Sequence, residues 1–290
     1  MITNHEKADI LIEALPFIKK YSGKTVVIKY GGSAMADEEI KNEFIKDVVL
    51  MKYVGINPVI IHGGGPEINS MLEKVGKKTQ FVEGNRVSDK ETVEIAEMVL
   101  SAKLNKGITA DINNHGGKAV GLSGKDGDLI LAKKKYIEKD NETIDIGYVG
   151  EVVKINPELI NILIENDYIP VISSIGTDKD GNTYNINADY VAGEIAGVLE
   201  AFRLMFLTDV DGILRDSENK QTLIPEITKD EVLELIRDKT ISGGMLPKVN
   251  TCLNAIDRGV KNVIILNGKV KHSIILELFT SEGFGTMIKG

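Results

Sequence analysis

The residues of this 290-residue chain that could do chemistry are two lysines, an arginine and several glycine turns placed at the ends of apolar runs. Lys29 follows Thr25-Val26-Val27-Ile28 and precedes Tyr30-Gly31-Gly32. A β-branched apolar run closed by glycine reads as a buried strand. An ammonium at the carboxyl end of such a strand needs water, an anion or a ligand. Gly31 and Gly32 let the backbone approach a ligand closely, with N–H groups free to donate. Residues 62–66, His62-Gly63-Gly64-Gly65-Pro66, repeat the arrangement behind a second apolar run, and Pro66 suits the first turn of a helix. Arg86, in Gly84-Asn85-Arg86, stands just ahead of Ser88-Asp89-Lys90-Glu91, which has the form of a capping box. Helix dipole and guanidinium together favour an anion there. Lys248 follows Gly243-Gly244, and Asn185-Ile186-Asn187-Ala188-Asp189 gathers amides and a carboxylate. Phosphoryl transfer needs positive charge spread over the moving group and residues that hold the reactants in line. Lys29 and Lys248 meet the first need, and Asp189 could orient both. Each stretch also has a plainer reading: residues 25–33 as a strand-to-helix turn with a solvated lysine, residues 185–189 as a turn and N-cap.

Composition narrows the classes. Hydrophobic residues make up 42% and charged residues 27%, the mix of a folded protein with ample core. A net charge of −8 without a basic run argues against nucleic acid or an anionic membrane surface as partner. No run has the length of a membrane span and no signal-type stretch opens the chain, so a cytoplasmic protein is expected. The single Cys252 excludes an internal disulfide framework and sits on the core face of a helix. Four scattered histidines lack metal-ligand spacing, and no metal site is expected. Neither G-x-x-x-x-G-K-[ST] nor the protein-kinase signatures occur, and Pro66 spoils a G-x-G-x-x-G dinucleotide pattern.

The elements that must carry these residues follow from periodicity. Thr3-Asn4-His5-Glu6 is a capping box before an amphipathic helix that Pro16 should kink or split. Its apolar stripe packs either on its own domain or on another subunit, with the first the simpler expectation. Helices are expected over 37–54, 67–75, from Ser88 to Leu104, over 157–166, 190–199, 229–237, from 245 to 258 and over 273–279. Strands are expected over 25–28, 57–61, 118–122, 129–135, 148–155, 169–175, 204–207 and 262–266, with a hairpin turn over 177–182. Repeated β–glycine–α units predict an α/β fold: a three-layer αβα sandwich with a largely parallel, open central sheet shared by two lobes. Ligands then bind off the carboxyl ends of the strands, where the glycine turns lie.

Taken together, Lys29-Tyr30-Gly31-Gly32, His62-Gly63-Gly64-Gly65-Pro66, Gly84-Asn85-Arg86, Asn185-Ile186-Asn187-Ala188-Asp189, Thr208-Asp209-Val210-Asp211-Gly212 and Gly243-Gly244-Met245-Leu246-Pro247-Lys248-Val249 resemble the amino acid kinase family, in order, over residues 22–290. Within it the resemblance is to the arginine-sensitive members that phosphorylate the γ-carboxylate of N-acetyl-L-glutamate in arginine biosynthesis. That resemblance implies that Lys29 and Lys248 stabilise the transferring group and that Asp189 holds both lysines. It implies substrate contacts from Gly64, Gly65, Arg86 and Asn185, with Arg86 on the α-carboxylate. ATP would meet Gly31 and Gly32, Asp209, Val210, Asp211, Gly212, Ile213 and Leu214, and Thr240, Ile241 and Ser242. Mg²⁺ would arrive on the nucleotide. It further implies an oligomerisation helix over 1–21, a substrate lobe over 22–184 and a nucleotide lobe over 185–290. Feedback inhibition by arginine would involve His272, Glu277, Glu282 and Gly285, in a hexamer built as a trimer of dimers; this turns the N-terminal stripe toward subunit packing. Other members acting on small carboxylates or nucleotides, and a catalytically silent arginine sensor on the same scaffold, are the rival readings. Arg86 in its Gly-Asn-Arg setting favours an α-carboxylate over a nucleotide acceptor.

Overall fold

The computed structural model describes residues 3–35, 37–139, 142–216, 219–281 and 283–290, the side chains of Ser33 and Ala34 excepted. The capping box at Thr3 is present: Glu6 N–H donates to Thr3 Oγ1 at 3.2 Å, and Thr3 N–H donates to the Glu6 carboxylate at 2.6 Å. Pro16 divides the N-terminal helical stretch into α1 (Asn4–Glu13) and α2 (Leu15–Tyr21). No residue of α1 is buried, and Ile10, Leu11 and Ile12 are 54, 72 and 68% exposed. The α1 stripe therefore does not pack on its own chain. Helix α2 does, through Tyr21, which is buried with edge-on contacts to Phe202 and Phe279.

The chain continues as β1 (Thr25–Tyr30), α3 (Glu38–Tyr53), β2 (Asn57–His62), α4 (Gly65–Lys74), a hairpin of β3 (Phe81–Val82) and β4 (Asn85–Arg86), α5 (Lys90–Glu97) and, after a π-helical segment at Met98–Leu104, α6 (Asn105–Asn114). Next come β5 (Ala119–Leu122), β6 (Ile130–Lys139), β7 (Glu142–Ile155), α7 (Glu158–Glu165), β8 (Ile169–Ser173), β9 (Ile175–Thr177), β10 (Thr183–Asn185) and α8 (Ala188–Val198). The last third holds β11 (Arg203–Thr208), β12 (Glu226–Thr228), α9 (Lys229–Arg237), α10 (Met245–Asp257), β13 (Asn262–Asn267), α11 (Ser273–Phe279) and β14 (Thr286–Lys289).

Eight strands form one sheet in the order β12-β14-β13-β11-β1-β2-β8-β5, with every pair parallel except β13 with β14. Alternation along β1 loads both faces. Val26, Ile28 and Tyr30 join a core with Phe44, Ile45, Val48 and Met51 of α3 and Ile108 and Ile112 of α6. Val27 faces the other way, into a core with Val191 and Ile195 of α8 and Val249, Cys252 and Leu253 of α10. This is the expected three-layer αβα sandwich with one sheet running through both halves of the chain. Strand β1 pairs with β2 on one side (Val27 opposite Val59) and with β11 on the other (Val27 opposite Leu204). Strand order therefore reverses at β1, and the crevice that this opens lies off its carboxyl end, beside Lys29.

Several expectations are corrected. Asp89, not Ser88, caps α5, accepting from Thr92 N–H at 2.9 Å, whereas the buried Ser88 hydroxyl donates to the Arg86 carbonyl at 3.0 Å. The helix expected to stop at Leu104 continues through the π segment into α6. The strand expected over 169–175 breaks at Ser174, where the chain leaves the central sheet for a small closed barrel of β10, β7, β6 and β9. The β6–β7 hairpin is longer than expected, and β3, β4, β10, β12 and β14 are additional; strands of two to four residues are too short to show a period. The hairpin turn over 177–182 is present, with the Asp178 carboxylate accepting from the N–H groups of Asp180 and Asn182. Among the described residues no helix is long and apolar enough to cross a membrane.

Candidate active site

Lys29 shares the β1 face of Val27, so its side chain runs toward α8, and its ammonium stands 3.0 Å from Asp189 Oδ1 in that helix's first turn. The lysine and carboxylate side chains keep 18 and 31% exposure, enough for a ligand to reach both. Asn187 caps α8 by accepting from Asp189 N–H at 2.8 Å, which fixes the carboxylate where β1 ends. The turn after β2 lies alongside: Gly63 N–H donates to the Tyr30 carbonyl at 3.3 Å. A Cβ on Gly64 would fall 2.2 Å from Leu104 Cδ1, so only glycine lets the helix behind the turn come so close.

Arg86 is 7% exposed, and burial lowers its pKa. Its guanidinium donates to Asn69 Oδ1 at 2.5 Å and to the Gly65 carbonyl at 3.1 Å, and lies 4.9 Å from the centre of the Phe81 ring. A guanidinium held by neutral acceptors alone keeps its full charge for an incoming anion. Lys29, Gly32, Gly64, Gly65, Arg86 and Asn185 all line one cleft of about 320 Å³. Asn69, Phe81 and Ser174, which the sequence did not single out, hold or line the same space; none stands in a motif that would have marked it.

A second cavity, of about 360 Å³, is lined by Asp209, Val210, Asp211, Gly212, Ile213 and Leu214 together with Thr240, Ile241 and Ser242. Thr286 anchors its floor by accepting from Ile213 N–H at 2.8 Å, and Asn267 donates to Asp211 at 2.6 Å. Lys248, in the first turns of α10, is ion-paired with Asp209. That pairing pulls the Asp209 carboxyl below its usual range. Asp189 meets Lys29, and Asp209 meets Lys248. The reason is placement, since Asp209 follows β11 beside the start of α10 while Asp189 faces β1. Gly31 packs against the Lys29 side chain rather than opening onto this cavity. Among the described residues no group of three or more His, Cys, Asp or Glu side chains could hold a metal.

The residues expected to meet arginine are engaged within the chain. Glu277 is buried, 3.1 Å from the Arg203 guanidinium, and its other oxygen accepts from Phe284 N–H at 2.7 Å and Gly285 N–H at 3.2 Å. The Glu277 carboxylate is thus already paired within the chain, with Arg203. His272 sits 2.6 Å from Asp47 and 3.0 Å from Glu43 on α3. Burial pushes the Asp47 carboxyl up to about 6 against the opposing pull of His272. Gly285 is pressed under the Ile265 carbonyl, and Glu282 lies outside the described residues. Replacing Glu277 with Gln should strand the Arg203 charge in the core and cost about 3–5 kcal/mol, read as a lower urea midpoint. A midpoint equal to wild type would show that the pair does not hold this end of the chain.

Comparison with known proteins bears on the family and the fold. The model of the amino acid kinase family matches residues 24–267. The acetylglutamate kinase of Methanocaldococcus jannaschii is 57% identical over 293 residues, covering 99% of this chain and 98% of its own, and that of Desulforamulus reducens is 55% identical with 99% of each covered. Among solved structures, N-acetylglutamate synthase of Neisseria gonorrhoeae, complexed with coenzyme A and N-acetyl-glutamate, superposes with a TM-score of 0.84 at 24% identity. That match covers 98% of this chain, which spans only 63% of the synthase's length. Carbamate kinase of Giardia lamblia bound to AMP-PNP superposes with a TM-score of 0.67 at 18% identity, covering 93% of this chain and 99% of the other. With the family model matched over residues 24–267 and more than half its residues identical to such relatives along nearly the whole length, this chain belongs to the amino acid kinase family.

Proposed function

We propose that the protein transfers the γ-phosphoryl group of ATP to the γ-carboxylate of N-acetyl-L-glutamate, giving N-acetyl-L-glutamyl 5-phosphate in arginine biosynthesis. The observation that carries this reading is the 57% identity to an acetylglutamate kinase over 99% of the chain. The geometry supports it. Arg86, buried and held by neutral acceptors, suits the substrate's α-carboxylate, with Asn185 lining the same cleft. The nucleotide takes the cavity at residues 209–214 and 240–242, on the lobe that begins at residue 185, and its phosphates reach out of it to Gly32, which lines the neighbouring cleft. Lys29 and Lys248 approach the moving group from the two lobes and neutralise charge as it develops on the equatorial oxygens. Asp189 keeps Lys29 in place, and Lys248 exchanges Asp209 for phosphate. The acceptor carboxylate is ionised at pH 7, so no general base is required. Donors here suit Mg²⁺ bound chiefly through nucleotide phosphates, where it would neutralise charge on the β and γ groups.

We also propose that the protein works in the cytoplasm as a hexamer, a trimer of dimers, that arginine inhibits. The exposed apolar face of α1 supports the assembly, because Ile10, Leu11 and Ile12 have no cover in their own chain. The regulatory segment is the C-terminal one that begins at His272, whose helix α11 meets α2 through Phe279 and Tyr21.

ATP turnover measured separately with N-acetyl-L-glutamate, aspartate, carbamate and UMP tests the substrate; no turnover with the first would refute the assignment. In the same assay, Lys248→Ala should lower kcat by about 10²–10³, the usual loss for a donor that meets developing charge. An unchanged kcat would take Lys248 out of the mechanism. Deleting residues 1–21 should lower the solution mass below a hexamer and weaken inhibition by arginine. A truncated protein that still sediments as a hexamer would show that α1 is not the link.

A further inference from the structure

The fully buried His62 and Asn105 lie behind the glycine turn of the substrate cleft, and neither lines the cleft itself. Asn105 begins α6 directly after the π-helical segment, so the extra residue of the wider turn sets where its side chain points. Its Nδ2 donates to the carbonyls of Val171 at 2.9 Å and Leu122 at 3.2 Å, and its Oδ1 accepts from Lys106 Nζ at 3.2 Å. Those partners fix which end of the amide is which. The same Nδ2 faces His62 Nε2 at 3.1 Å, its two hydrogens shared among the three acceptors; an amide nitrogen does not accept, so Nε2 does and the imidazole proton lies on Nδ1. Nδ1 donates to the Gly63 carbonyl at 3.0 Å. Burial holds this imidazole neutral, with its pKa pushed down to about 4. Leu100 and Leu104 of the π segment meanwhile press against Gly64, where any Cβ would collide with both. The turn whose next residues line the cleft is therefore gripped from behind twice, by contact at Gly64 and by a hydrogen-bond chain ending at Gly63. π turns are rare and cost helix stability, and they persist mostly at functional sites.

We propose that His62 and Asn105 are positioning residues for the carboxylate substrate: the chain from the π turn through Asn105 and His62 to the Gly63 carbonyl sets the direction in which the Gly64 and Gly65 N–H groups point. The proposal rests on the functional reading above for its substrate, and on the geometry alone for its effect on the turn. Two replacements separate the two hydrogen bonds of the imidazole. His62→Asn keeps a donor near the Nδ1 position but falls short of Asn105, whereas His62→Gln reaches the Nε2 position and offers Asn105 an acceptor. Asn105→Ser removes the donor from the other side.

Steady-state kinetics and amide hydrogen exchange over residues 62–66 test this on the full chain. In H62N and N105S, KM for N-acetyl-L-glutamate should rise about tenfold with KM for ATP nearly unchanged, since a shift of about 1 Å in a positioned group can cost ~10²-fold. Exchange over residues 62–66 should quicken in both, and in H62Q as well, because Gln keeps an acceptor for Asn105 but loses the donor to the Gly63 carbonyl. Wild-type KM and exchange in the folded variants would overturn the proposal, as would a H62Q protein indistinguishable from wild type. Equal rises in both KM values would reduce the pair to general packing and overturn it too. If H62N does not fold, N105S set against H62Q carries the comparison. A wild-type protein without turnover, but with exchange that responds as expected, would refute the substrate assignment and leave the positioning chain standing.

Discussion

Lys29 stands at the mouth of a strand whose other residues are sealed in the core, and a charge in that place requires an opposite one within reach. Asp189 supplies it at 3.0 Å from the first turn of α8. Much of the architecture serves that pairing. Helix α8 must cross the face of β1 that carries Val27 and Lys29, and it does so on small residues, Ala188, Ala192 and Ala196, while Gly193 faces Ala255 of α10. The Asn187 cap then stops the helix with its carboxylate at the level of the ammonium. Because both groups retain exposure, the pair is an organised charge at the edge of water rather than a buried bridge, and an anion can share the lysine without stranding the aspartate.

The reversal of strand order at β1 places two cavities on either side of that pair. On one side the glycine turn after β2 and the guanidinium of Arg86 form a positive pocket. On the other lies the cavity of the loop after β11 and the start of α10. Each lysine has its own carboxylate, Lys29 meeting Asp189 and Lys248 meeting Asp209, so the two ammonium groups are compensated while the Arg86 guanidinium is left for an anion. The moving phosphoryl group is the ligand that would engage both lysines. Charge of this kind is arranged before the reactants arrive, which is the economical way to stabilise a transition state that has little covalent chemistry of its own.

The far end of the chain obeys the same rule with a different outcome. Arg203 and Glu277 are both buried, and each completes the other beneath the Tyr21 ring, whose centre lies 5.0 Å from the guanidinium. That contact ties α2 to the sheet and to α11, and the Glu277 carboxylate in turn holds the loop before β14. Helix α1 is left projecting with its apolar stripe uncovered.

The α/β class, the open parallel sheet and the crevice at the strand ends were legible in the sequence, because buried strands closed by glycine have few other solutions. Residues 29, 64, 65, 86 and 185 could be named from type and spacing, and the structure draws them to one cleft. Resemblance to a family added roles that spacing alone left open. What the sequence by itself determined was therefore which residues carry charge, and at which strand ends. Which acid meets which lysine, the capture of Glu277 by Arg203, and the grip of Asn105 and His62 on the glycine turn were decided only in three dimensions. The physical reason is that each joins residues 39 to 160 positions apart, and a contact of a few ångströms between remote segments leaves no period, motif or turn signal in the chain.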